Sequence, residues 1–247
     1  MTQSQHRSFG PMHSSRAAEA AQAIRLTAPV AMAYVPLGLA FGVLMVKSGI
    51  AWYWAPLSAL LIFAGSIEFL AVGLIAGGVP FLQVLVTSFV VNFRHLFYGL
   101  SFPLERISGR WAKAYGVWAL TDETYAITAA GVGSRLNGFQ ITVLQVVSHV
   151  WWASAALVGA LVGAIIPASI VGFGFALTAM FITLLVDSLR NHPSRFQLAA
   201  AAGSIVVAVA AEQLWTNWFL ICGLLFYVAV MTMHYLVTPA AKRMTLS

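Results

Sequence analysis

Charge is what this chain has least of. Asp, Glu, Lys and Arg together make up 8% of its 247 residues, where a soluble domain carries roughly a quarter. Whole stretches hold none of the four, namely 26–46, 48–67, 69–93, 136–186 and 213–241. Such composition excludes a water-soluble globule and predicts an integral membrane protein. Cysteine is nearly as scarce. The single Cys222 excludes an intrachain disulfide and a cysteine-based metal site. Strict alternation of apolar and polar residues is also missing, which excludes an outer-membrane barrel. No Gly-rich nucleotide loop and no HExxH pair occurs, so neither ATP-driven work nor zinc hydrolysis is indicated.

What is present is 60% hydrophobic residues and a mean hydropathy of +0.87. A helix needs about 20 apolar residues to cross the hydrocarbon core. Eight hydrophobic segments are read, at 27–47, 52–76, 79–101, 112–131, 140–166, 169–189, 197–211 and 215–237. The predicted fold is all-α, with seven to eight transmembrane segments, at least one of them broken or re-entrant. Residues 1–25 read as a polar cytoplasmic tail, 26–237 as one transmembrane transporter domain, and 238–247 as a short cytoplasmic C-terminal tail. "AMA" at 31–33 lacks a preceding apolar core, so 27–46 is read as a retained helix.

The net charge of +6 reads as topology rather than as nucleic-acid binding, because Lys and Arg gather in cytoplasmic loops. Both termini are expected inside. If all eight segments cross, however, the 103–113 loop with Arg106, Arg110 and Lys113 falls outside, against that rule. A re-entrant or broken segment would remove the conflict. The candidates are 52–76, which contains Gly65-Ser66, and 112–131, which contains Asp122-Glu123. "GLAFG" (38–42) and "GALVG" (159–163) share a Gly-xxx-Gly spacing. It reads either as an internal repeat of the kind transporters use or as close helix packing.

Several polar residues stand where burial is expensive. Asp187 with Arg190 reads as an interfacial pair, Glu212 as a turn residue before Trp215 and Trp218, and His149 as a structural hydrogen-bonding histidine or a proton relay. Glu68, the run Asn92-Phe93-Arg94-His95, and Asp122-Glu123 form a different group. They offer three carboxylates against one arginine, which leaves an acid able to titrate or to meet a cation. A helix break at Gly65-Ser66 would expose backbone groups that suit a zwitterion. Pro36 predicts a further kink, since it lacks an N–H.

"VPLGLAFGVL" (35–44), "IFAGSIEFLAV" (62–72), "NFRHLFYG" (92–99) and "LTDETYA" (120–126) occur in this order, and together they resemble the AzlC-type large subunit of branched-chain amino-acid exporters. The likeness is concentrated in 30–130. It implies an inner-membrane, multi-pass secondary exporter of valine, leucine, isoleucine, methionine and analogues, driven by an ion gradient. It also implies a small membrane partner of the AzlD type, no cofactor and no metal. The motif residues it carries over are Gly65, Ser66, Asn92, Arg94, His95, Tyr98, Asp122 and Glu123. Glu68 joins this candidate site as a departure, since the family commonly has Gln there. Two rivals are a membrane enzyme using His95, His149 and the carboxylates, and a subunit inactive without its small partner.

Overall fold

A computed structural model describes residues 15–129, 133–167, 195–214 and 218–237, with isolated positions between 169 and 186. Among the described residues there are only helices and connections. Residues 1–14 of the N-terminal tail, Trp215, the Asp187–Arg190 pair and residues 238–247 lie outside them, as does most of the 169–189 segment. Residues 16–25, which the sequence groups with the polar tail, are helical. They belong to α1 (Arg16–Leu26), capped by the Ser15 side chain on the Ala18 N–H.

The helices that follow are α2 (Ala28–Lys47), α3 (Trp54–Leu61), α4 (Gly65–Ala76), α5 (Phe81–Asn92), α6 (Arg94–Ser101), α7 (Arg110–Trp118), α8 (Asp122–Ala129), α9 (Gly138–Ile165), α10 (Arg195–Leu214) and α11 (Phe219–Val237). Four stretches among the described residues are long and apolar enough to cross a membrane: Ala28–Lys47, Phe81–Ser101, Gly138–Ile165 and Arg195–Leu214. Pro36 lies inside α2, which stays one helix. The chain divides into two compact units, Met1–Val72 with Arg94–Gly174, and Gly73–Phe93 with Phe175–Ser247.

The first unit is built on α2 against α9. Small residues let these backbones touch. A Cβ added at Gly42 would lie 2.2 Å from the Ala156 carbonyl oxygen, and one at Gly159 would lie 2.2 Å from that of Leu39. "GLAFG" and "GALVG" are therefore packed on one another, as close-contact motifs do. Four contacts fix the direction of the pair. Trp151 Nε1–H donates to Thr27 Oγ1 at 3.3 Å, Gly38 abuts Ala155, Gly163 abuts Val43, and the Lys47 ammonium caps the Ile166 carbonyl. Both sequences rise together, so α2 and α9 run parallel. Asn137 opens α9 with a reciprocal capping box to Gln140, and the Gln140 amide reaches Gln22 of α1 at 2.9 Å.

In the second unit, α10 packs on α11, and Gly223 admits Ala208 closely. Glu212, expected in a turn, stands instead in the last turn of α10. Its carboxylate accepts the Phe219 N–H at 3.2 Å, satisfying one of the donors left over at the start of α11.

Candidate functional site

Three of the hydrophobic segments are interrupted, and each interruption is followed by a helix that begins on a singled-out motif. The 52–76 segment breaks at Ile62–Ala64, with Phe63 held at a left-handed φ of 48°, and α4 starts at Gly65. The 79–101 segment breaks at Phe93, and α6 starts at Arg94. The 112–131 segment breaks at Ala119–Thr121, and α8 starts at Asp122. The first and third breaks are where the sequence pointed; the second was not foreseen. Acidic side chains in a first turn are favoured by the free N–H groups there, which suits Glu68, Asp122 and Glu123.

Glu68 is 2% exposed. Its Oε2 accepts the Ala64 N–H at 3.1 Å and Trp152 Nε1–H at 2.9 Å. Its Oε1 is buried without a hydrogen bond; Ser58 faces the same carboxylate but donates to the Ala55 carbonyl at 3.0 Å. Gly65 is small for a reason: a Cβ there would press on the Trp152 ring at 3.1 Å. Trp152 also stacks on Phe41 at 5.8 Å and meets Tyr34 edge-on at 5.5 Å. Glu68 is thus fixed by a tryptophan that three other aromatic and small residues hold still.

Arg94 joins two of the breaks. One of its terminal nitrogens, Nη2, lies 2.7 Å from Asp122 Oδ2 and also donates to Ser66 Oγ at 3.3 Å. Side-chain exposures of 36% and 32% mean that the pair is only partly shielded from water. Arg94 Nε and Asp122 Oδ1 are themselves buried and make no hydrogen bond. Tyr98 faces Asp122 and stacks on Tyr125 at 4.3 Å. His95 packs on Tyr98 at 5.4 Å. Asn92 ends α5, is half-buried, and belongs to the second unit.

Glu123 meets Tyr34, whose hydroxyl lies 2.8 Å from Glu123 Oε2 and 2.8 Å from Thr121 Oγ1. Thr121 caps α8 reciprocally with Thr124, through the N–H of each and the side-chain oxygen of the other. Tyr34, Trp152, Thr121 and Thr124 were missed by the sequence reading. Thr-x-x-Thr around two acids is a legible helix-start signal, whereas nothing local marks Tyr34 or Trp152, which are brought in by the α2–α9 packing.

His149 makes two hydrogen bonds, one more than the single bond expected of a structural histidine. Its Nε2 lies 3.1 Å from the Ala59 carbonyl and its Nδ1 3.2 Å from the Tyr115 hydroxyl, while its ring stacks on Phe63 at 4.3 Å. Among the described residues, no group of three or more His, Cys, Asp or Glu could hold a metal ion.

Apolar helices interrupted at buried acids and an arginine define a helical integral membrane protein with a polar centre inside its fold. The family described as AzlC protein matches residues 29–166, which takes in all three breaks, and the chain belongs to that family. An uncharacterized membrane protein of Helicobacter pylori is 31% identical over 211 residues, covering 82% of this chain and 89% of that protein. The branched-chain amino acid transport protein AzlC of Bacillus subtilis is 28% identical over 210 residues, 83% of this chain and 81% of that protein. The inner membrane protein YgaZ of Escherichia coli is 26% identical over 186 residues, 72% and 76% of the two chains. These similarities support a membrane transport role. No solved structure matches the chain significantly.

Proposed function

We propose that this protein is a secondary transporter that exports branched-chain or related amino acids, among them valine, leucine, isoleucine and methionine, across the inner membrane by alternating access. The proton gradient drives it, and it works with a small membrane subunit of the AzlD type. The observation that carries the reading is the Ser66–Arg94–Asp122 chain across the three helix breaks, with Glu68 buried beside Ser66. A zwitterion needs one cation and one anion in fixed positions. The unsatisfied Arg94 Nε and the Glu68 Oε1 and Asp122 Oδ1 atoms offer both.

In this reading Arg94 exchanges Asp122 for the substrate carboxylate, and Glu68 or Asp122 takes the ammonium or the driving proton. Ser66 orients the substrate through hydrogen bonds. Gly65 leaves room beside it, Glu123 anchors Tyr34, Tyr98 walls the site, and His95 relays protons. No cofactor enters the scheme, and both termini lie on the cytoplasmic side.

The test is intracellular accumulation of valine or methionine in cells fed dipeptides, with and without the small subunit. Wild-type protein with its partner lowers the intracellular amino acid. Asp122→Asn abolishes that effect at unchanged membrane abundance. If accumulation is the same with and without the wild-type pair, the substrate class is wrong.

A further inference from the structure

Segments 52–76 and 112–131 share a second property beyond being broken, which concerns where each begins and ends along α9. From Ile166, which Lys47 caps, to His149 is 17 residues of helix, or about 25 Å at 1.5 Å per residue. Between Lys47 and Ala59 the chain descends that whole distance, because the Ala59 carbonyl meets His149. It then turns. Phe63 lies against His149 and Tyr34, Glu68 reaches Trp152, and Phe69 sits against Phe41 at 5.5 Å. From Phe63 to Phe69 the chain therefore climbs in the same sense as α2, back toward the end it came from.

The later segment does the reverse. It leaves from Arg106 and Ile107, which lie against Gly138 at the start of α9. The Arg106 guanidinium also donates to the Leu136 carbonyl at 3.3 Å. Up α7, Gly116 meets Gln145 through a 2.8 Å bond and Trp118 meets His149 at 5.2 Å. After the break α8 turns back, and Gly133 is packed against Ile127 and Thr128 before the chain re-enters at Leu136. Entry and exit of this segment meet at one end of α9. Alongside, Arg94 pairs with Asp122 and Ser101 with Tyr125, so α6 runs down with α8.

We propose that residues 52–76 and 110–129 do not cross the bilayer, and are re-entrant hairpins that enter from opposite faces and meet at His149 of α9. His149 contacts both, with one ring nitrogen at the Ala59 carbonyl of one hairpin and the other at the Tyr115 hydroxyl of the other. Parity agrees. Parallel α2 and α9 require an odd number of crossings between them, and with both hairpins removed one remains, Phe81–Ser101, which has the length for it. Charge agrees as well. Arg16, Arg25, Arg106, Arg110, Lys113 and Arg135 then share one face, which the positive-inside rule makes cytoplasmic, and the conflict posed by the 103–113 loop disappears. A polar backbone break at membrane depth is tolerated where protein surrounds it.

Sided labelling tests the topology whether or not any substrate moves, so it stands or falls apart from the transport reading. In full-length protein carrying Cys222→Ser, single cysteines are placed by Ser108→Cys, Asn137→Cys, Ala51→Cys and Val79→Cys. Each is first shown to react with maleimide after solubilisation in detergent. In intact spheroplasts an impermeant maleimide is expected to label the Ala51 and Val79 positions and spare the Ser108 and Asn137 positions; inside-out vesicles give the opposite pattern. Labelling of Ser108 and Asn137 from different faces, or of Ala51 and Val79 from different faces, overturns the corresponding hairpin. The same pairs with the faces exchanged overturn the cytoplasmic assignment.

Discussion

At the scale of single residues, the chemistry depends on who shares Glu68 and Arg94. Trp152 supplies one of the two donors to Glu68 Oε2, and Trp152→Phe removes that N–H together with the part of the buried indole that packs against Gly65. A hydrogen bond to a charged group contributes about 1.5–3 kcal/mol, and the variant is expected to lose at least that much stability in detergent, the smaller ring adding a packing loss. Combining it with Glu68→Gln should shrink that loss, because the amide is a weaker acceptor. Equal losses in both backgrounds would mean that Trp152 acts by shape alone. For Arg94 and Asp122 the informative change is exchange of the pair. Arg94→Asp alone should abolish transport and leave two facing carboxylates; adding Asp122→Arg should restore folding more than transport, since the substrate would then find its charges reversed. Full recovery of transport would reduce the pair to a structural bridge.

At the scale of elements, small residues and capping groups decide what the helices do. Ordinary contact begins at about 3.4 Å, and a Cβ at Gly42 would stand 2.2 Å from the Ala156 carbonyl, against backbone that has no rotamer to escape into. Gly42→Val is therefore expected to cost about 3 kcal/mol or more and to remove the monodisperse peak on size exclusion. Gly73→Ala, where a Cβ meets nothing within 4 Å, should leave that peak unchanged. Asn137→Ala deletes one arm of the α9 capping box and should lower stability by about 1 kcal/mol.

The sequence showed these elements unevenly. Apolar runs and their lengths located every described long helix, because hydropathy is a local property. Gly65-Ser66 and Asp122-Glu123 marked two breaks, because glycine and buried acids are unfavourable in an unbroken apolar helix. The break at Phe93 has no such residue and stands just before Arg94, whose partners lie in other segments. The charge conflict at the 103–113 loop marked 52–76 and 112–131 as candidates to double back, but the face from which each would enter was not legible, since it depends on which part of α9 each end touches. Glu68 was legible as an oddity, but its partner Trp152 lies 84 residues away, and nothing in the local pattern around either residue couples them.

At the scale of the whole molecule, the helix breaks are where, in the proposed function, an amino acid is held during passage. Family membership supports transport, and the Arg94–Asp122 pair carries the two charges that the proposed zwitterionic cargo requires. Counterflow in proteoliposomes containing the purified protein and its small partner tests this most directly, with unlabelled valine inside and labelled valine outside. Wild type is expected to exchange valine saturably. Arg94→Gln removes one member of a partly buried charge pair, which typically costs 2 kcal/mol or more, so exchange should fall by roughly 30-fold or more while the protein keeps its elution profile. Undiminished exchange by a folded Arg94→Gln protein would contradict the central claim.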